Sequence, residues 1–510
     1  MKQLTLVFFL SLFLAQSQDI KKPTIEFRGV WIATVVNIDW PKKAEDNDLK
    51  KMADFITILD QYKSMNFNAV VVQIRTAGDA FYPTDLSPIS KYLTGAEGKF
   101  SENNFDYLKW MITEAHQRGF EFHAWFNPYR ATFDLNTSIL SPKNDYFIHN
   151  DWMIKYGTKF YYNPGLPSVQ NHLTAIISEV VKKYDIDAIH FDDYFYPYKI
   201  EKEVFDDKNS FEFYGLENQN IEDWRRSNVD SLMKKVHFAI IKEKKNVQFG
   251  ISPFGVWRNK SKDSLGSDSQ AGQTNYDDLY ADPKVWMKNK WIDYIVPQLY
   301  WSLDYKKASH RKLMEWWNDN SENTNLYIGN GTYKINNDKD IAWKNKQQIP
   351  LQINLGRLTK NVKGNVFFSA ESLINKNKEV VKLLKKVYDQ EALAPSSPNF
   401  EKLKPDIPVV ISISKNNNLI EFKLQNKFTT NFQYAIVEEL NKDSVNKMVL
   451  KKQISIYDIE IVISINELNL NPKKTYSLYF YDQNAVQGDP LLFTIDKDKL
   501  QLNPCQKIQL

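Results

Sequence analysis

From Glu26 onward the chain alternates two textures. Short apolar runs rich in β-branched and aromatic residues recur, and most are separated by longer stretches whose apolar residues return at helical spacing. The runs fall at 28–35 (RGVWIATV), 69–75 (AVVVQIR), 121–126 (EFHAWF), 187–194 (DAIHFDDY), 247–254 (VQFGISPF), 293–300 (DYIVPQLY), 326–333 (LYIGNGTY) and 364–370 (GNVFFSA). Stretches 49–65, 105–119, 169–184 and 223–244 predict helices, the second closed by Gly119 at a helix stop. Eight strand–helix units over about 360 residues predict an α/β fold, a parallel (β/α)₈ TIM barrel over 24–387. A doubly wound open sheet is the alternative, but no Gly-rich phosphate turn follows the first strand.

After Val387 the pattern changes. Residues 388–407 are rich in Pro, Ser and charge and read as a linker. From 408 to 500, short alternating runs predict a small all-β sandwich resembling a fibronectin type III module. At the other end, residues 1–17 join Lys2 to an apolar run from Leu4 to Ala15, the pattern of a secretory signal peptide. No later stretch approaches the roughly 20 apolar residues of a membrane-spanning helix, so an exported protein without a transmembrane segment is expected, periplasmic or extracellular. The single cysteine, Cys505, provides no lipid-anchoring thiol beside the leader and no intrachain disulfide. A net charge of +4 over 510 residues, with both signs interspersed, makes no basic stripe for nucleic acid. A monomer is expected.

Strand alternation sorts side chains within the barrel. The outward face packs on helices, so the apolar residues of each strand mark the outside and their neighbours the lumen. In the fourth strand Ile189 and Phe191 are the outward pair, which turns His190 and Asp192 inward, with Asp193 just past the strand end. The same rule turns inward Gln73 and Arg75, His123, Trp125 and Asn127, Ser252, and Gln298 and Tyr300. In the eighth strand it places Val366 and Phe368 outside and Glu371 in the mouth. Alternation leaves Trp31 undecided. These polar residues gather at the carboxyl ends of the strands, where barrel enzymes carry their chemistry.

The chemistry on offer is carboxylates among aromatic rings. No metal-ligand spacing of His, Cys or carboxylates occurs and no Gly-x-Ser-x-Gly elbow, so neither a metal nor a cofactor is expected. Trp31, Trp40, Trp125, Tyr129, Tyr194, Tyr196, Tyr198, Trp257, Tyr300 and Trp301 lie at or just after strand ends, and such rings suit the apolar faces of pyranose sugars. Glycoside hydrolysis needs a proton donor for the leaving oxygen and a negative charge, or the substrate's own acetamido oxygen, near the anomeric carbon. Asp192 is the first candidate, with Asp193 or Glu371 as partner and Arg75 or His190 holding Asp192 ionised. Asp277 and Asp278 stand on a connection that could close over the site.

Six segments in order, 26–41, 67–88, 123–130 (HAWFNPYR), 187–198 (DAIHFDDYFYPY), 250–259 and 291–301, resemble the glycosyl-hydrolase-like 10 family. The resemblance covers about residues 24–385 and implies an exported barrel, often followed by a fibronectin-like module, that hydrolyses peptidoglycan glycan strands stripped of stem peptides. Trp31, Arg75, His123, Trp125, Asn127, Tyr129, Arg130, His190, Tyr194, Tyr196, Trp257, Gln298, Tyr300 and Trp301, from the inward and strand-end positions and these segments, are the candidate substrate-binding residues. Many relatives are lipoproteins, and the lipid-attachment Cys is missing here. The fourth strand also resembles the chitinase pattern, with Tyr194 where the catalytic Glu would stand, and the amylase pattern, whose fifth-strand acid is absent from GISPFG. The expected function is an exported glycoside hydrolase of an amino-sugar polymer. The alternatives are a hydrolase of an unrelated glucan and a barrel that binds glycan without cutting it.

Overall fold

Eight parallel strands close into a barrel in the computed structural model: β1 Phe27–Ile32, β2 Ala69–Arg75, β3 Glu121–Phe126, β4 Ala188–Phe191, β5 Gln248–Ile251, β6 Tyr294–Ile295, β7 Asn325–Gly331 and β8 Val362–Phe368. Each pairs with its sequence neighbour, and β8 closes on β1 with Gly364 opposite Phe27. The structure describes residues 23–400, 404 and 409–502, except 417, 426–431, 442–445, 455–459, 483–485 and 497–498. The leader-like residues 1–17 and Cys505 lie outside the described residues.

Both faces of these strands are covered, which is why they read as nearly continuous apolar runs. Outward residues such as Val70, Val72, Ile189, Phe191, Phe249 and Ile251 meet the surrounding helices, while Phe27, Val71, Ala188, Tyr294, Tyr327 and Val366 fill the lumen. Gly250 is required for that filling, because a Cβ there would stand 2.0 Å from the Tyr294 ring. The sixth strand is short because Pro297 has no N–H to give the ladder. Isolated bridges from Gln298 to Phe254 and Gly329 continue it and hold Gln298 at the rim.

Alternation lapses in two strands. The β2–β3 register shifts between Gln73 and Arg75. The β8–β7 register shifts between Val362 and Asn365, around Gly364 at φ +153°. The second shift corrects the expected faces of β8: Phe367 packs outward, 5.5 Å from the Phe67 ring, and Val366 and Phe368 turn inward, Phe368 lying 6.2 Å from Trp31.

Residues 389–400 run beneath the amino end of the barrel, where Leu393 N–H donates to Thr24 O and Leu393 O accepts from Glu26 N–H. A three-stranded sheet (Val409–Asn416, Leu419–Gln425, Glu460–Asn466) and a five-stranded sheet (Lys447–Gln453, Phe432–Glu439, Thr475–Asp482, Leu491–Asp496, Lys499–Leu502) then enclose Phe422, Leu424, Ile463, Leu478 and Phe493. Tyr476, at the start of its strand, accepts from Asn471 N–H, the corner tie of many β-sandwiches. Tyr434 and Tyr481 of the second sheet cover the barrel base, where Tyr434 Oη donates to Gly119 O at 3.4 Å. Among the described residues no helix is long and apolar enough to cross a membrane.

Candidate active site

A cleft of about 410 Å³ opens at the carboxyl ends of the strands. That is the size of a small-molecule site. Trp31, Gln73, Trp125, Asn127, Arg130, Asp192, Asp193, Tyr194, Tyr198, Ser252, Gln298, Tyr300 and Trp301 line it, joined by Phe254, Tyr333, Lys334 and Phe368.

The fourth strand ends at Phe191, so strict alternation lapses there and both following acids reach the cleft. Asp192 is held by the end of β3: its Oδ2 accepts from Trp125 Nε1–H at 3.2 Å and from the Asn127 amide, and its Oδ1 from Tyr194 N–H at 3.3 Å. Asp193 accepts from the Tyr198 hydroxyl and the Gln298 amide. Every one of these donors is neutral. Burial, and then the charge of Asp193, push Asp192 up to about 7 against the pull of Arg130. Asp193 is also raised, by burial, with its donors and Arg130 working the other way. The arrangement therefore keeps one carboxyl protonated near neutrality beside a second acid, which is what general acid chemistry requires.

Below the cleft a row of hydrogen bonds runs down the barrel axis, and its direction follows from its first donor. Trp31 Nε1–H gives to His190 Nε2 at 3.2 Å, so the His190 proton is on Nδ1 and goes to Tyr294 Oη at 3.0 Å. Tyr294 then donates to His123 Nδ1 at 2.8 Å, which leaves His123 Nε2–H for Glu121 Oε2 at 3.0 Å. Burial, with His123 nearby, holds His190 well below the usual imidazole range, so it stays neutral. These two histidines, expected at the substrate, form the floor beneath it.

The remaining expected residues lie elsewhere. Glu371 does not reach the cleft: β8 ends at Phe368, and Glu371 lies in the first turn of the helix Ala370–Ile374 that follows, where it pairs with Lys42 and accepts from Asn375. Arg75 is turned aside by the β2 register shift and is held by Ser87 Oγ, Asp79 O and Tyr162 Oη, so it does not hold Asp192 ionised; the positive charge that pulls on Asp192 is Arg130, and burial outweighs it. Trp40, Tyr129 and Tyr196 are buried in the outer core, Trp40 donating to Lys51 O at 2.8 Å, and Trp257 stacks on Trp316 and donates to Asp282. Asp277 pairs with Arg258 and Asp278 with Lys199, away from the acids. Tyr333 and Lys334 are cleft residues beyond those expected; their signal in the sequence is their place at and just past the end of the apolar run 326–333. Among the described residues no three of His, Cys, Asp or Glu gather as a metal site.

A (β/α)₈ barrel whose carboxyl-end cleft joins paired carboxylates to aromatic walls defines the class as a sugar hydrolase. The sequence narrows this. The family described as Glycosyl hydrolase-like 10 matches residues 26–345, and the chain belongs to it. It is similar to the glycosyl hydrolase YngK of Bacillus subtilis (strain 168), 42% identical over 490 residues, covering 94% of this chain and 93% of that protein. It is also similar to the glycosyl hydrolase DigH of Escherichia coli (strain K12), 36% identical over 386 residues, covering 71% of this chain and 86% of that protein. Among solved structures, the glycoside hydrolase domain of PgaB (BpsB) from Bordetella bronchiseptica is similar at 12% identity and a TM-score of 0.48, covering 71% of this chain and 99% of that one. The protein is a glycoside hydrolase.

Proposed function

We propose that this enzyme cleaves glycosidic bonds in an exported amino-sugar polymer, peptidoglycan glycan strands freed of their stem peptides, with Asp192 as the acid. The observation that carries the reading is the Asp192–Asp193 pair held by neutral donors in an aromatic cleft. Asp192, pushed up to about 7, keeps the proton to give the leaving oxygen. Asp193, with the Tyr198 hydroxyl and Gln298 amide donating to it, supplies the negative charge that an oxocarbenium-like transition state needs. Trp31, Trp125, Tyr194, Tyr300 and Trp301 offer rings to the sugar faces, and Asn127 and Gln298 offer amides to their edges. The family resemblance supports the choice of polymer, and the leader-like Leu4–Ala15 run supports export.

The test is incubation of the purified protein with amidase-treated peptidoglycan, followed by a count of new reducing ends. Release by the native enzyme and none by Asp192→Asn supports the reading. Release only from a glucan without acetamido groups, or shortening that is equal in Asp192→Asn, overturns it.

A further inference from the structure

One guanidinium in the cleft has no acid of its own. Arg130 is 6% exposed and lines the cleft with Asp192 and Asp193. Its Nη1 donates to Thr76 O at 3.2 Å, its Cζ lies over the Tyr194 ring 4.5 Å from the centroid, and its buried Nε–H has no hydrogen-bond partner. Arg28 and Arg357 share Glu26, and Arg225 holds Asp207; Arg75 also lacks an acid, but it lies outside the cleft and both its Nη atoms are bonded, to Ser87 Oγ, Asp79 O and Tyr162 Oη. Lys334, the other cation of the cleft, is paired with Asp338 at 2.8 Å. Asp192 and Asp193 feel the charge of Arg130, yet their hydrogen bonds come from Trp125, Asn127, Tyr194, Tyr198 and Gln298. A buried charge left this way is costly unless a partner arrives.

We infer that Arg130 is a specificity residue that receives a free carboxylate carried by one sugar of the polymer, with that sugar lying against Tyr194. A guanidinium is a planar fork of donors that matches a carboxylate, and stacking on a tyrosine leaves its N–H edge free to make the match. The inference rests on the proposal that a peptidoglycan strand fills the cleft. In such a strand the lactyl carboxylate is free only where the stem peptide has been removed, because the peptide is attached there as an amide. Arg130 thereby reads the stripped state of the strand as a charge.

Calorimetry on the full chain carrying Asp192→Asn, which removes turnover, tests this with two probes. One is an amino-sugar disaccharide with a free lactyl carboxylate and the other is its lactyl methyl amide. The carboxylate form is expected to bind about ten-fold or more tightly than the amide, with the preference lost in Arg130→Met and partly kept in Arg130→Lys. Equal binding of the two probes overturns the inference, as does a preference that survives Arg130→Met. If Arg130→Met does not fold, the salt dependence of the preference decides in its place: a preference that weakens with salt supports the inference and one that does not overturns it. The two readings separate cleanly. Arg130-dependent carboxylate binding by a native protein that leaves strands uncut sinks the cleavage proposal alone. Cleavage of free and amidated strands at equal rates, unchanged in preference by Arg130→Met, sinks this one alone.

Discussion

The barrel carries acids at both ends, and the two ends treat them oppositely. At the base, Asp187 is half-buried and accepts from Phe122 N–H at 2.7 Å and His116 Nε2 at 2.8 Å. Burial would raise it, but His116 and the backbone donor outweigh burial and hold it below the ordinary carboxylate range. At the mouth, Asp192 accepts only from neutral donors beside an acidic neighbour, and burial carries it up to about 7 against the pull of Arg130. The same residue type thus becomes a structural anion where an imidazole answers it and a proton reservoir where none does. The choice of neighbours decides this, since both acids sit at ends of the fourth strand run, Asp187 before it and Asp192 after it.

The largest test of that contrast is activity. Asp192→Asn is expected to lower kcat/KM on stripped glycan strands by about a hundred- to ten-thousand-fold, the usual worth of a general acid. Asp187→Ala, by contrast, should cost about 1–2 kcal/mol of stability, through the backbone N–H and imidazole left without an acceptor. Its activity per folded molecule should match the native enzyme, and denaturant titration alongside initial rates separates the two effects. A large loss of rate in folded Asp187→Ala would erase the distinction between the ends.

The next test is pH. If protonated Asp192 is the acid, the rate falls as pH rises through about 7. Stability carries the same sign: with a folded pKa above the unfolded one, the native state holds a proton the unfolded chain has released, so its margin shrinks between about pH 4 and 7. Asp192→Asn removes that loss, and its melting temperature should gain on the native protein from pH 5 to pH 8. The lowered Asp187 works the other way: its contribution is present above its unfolded value and fades as pH falls below that value, so the deficit of Asp187→Ala should narrow in acid. The smallest effect belongs to Glu371, whose ion pair with Lys42 is partly solvated. Glu371→Ala should change kcat by less than about two-fold and stability by no more than about 1 kcal/mol.

The barrel was legible because its strands are buried on both faces and punctuated by helical spacing, and the cleft was legible where alternation is clean. His190 and Asp192 are inward because Ile189 and Phe191 are so plainly outward. Alternation misled where the backbone breaks register. In β8 every residue from Val366 to Phe368 is apolar, so the pattern holds no record of which face is which, and the shift around Gly364 decides it. Arg75 was misread for the same reason, one residue beyond a shift. Asp39 escaped notice because nothing local marks it. It is a fully buried acid, pushed by burial up to about 6, and it accepts from Ala33 N–H, Ser369 Oγ and Glu371 N–H across the β1–β8 seam. Ala33 is six residues away, but Ser369 and Glu371 are separated from it by 330 and 332 residues, a distance no local motif records.

The axial row from Trp31 to Glu121 behaves like a line of one-way valves. Each imidazole in it gives with one nitrogen and takes with the other, and the Tyr294 hydroxyl gives and takes through its one oxygen, so turning one imidazole round reverses both of its links together. The polarity at the indole lining the cleft and the polarity at the acid under the sandwich are therefore a single choice, made once for the whole column.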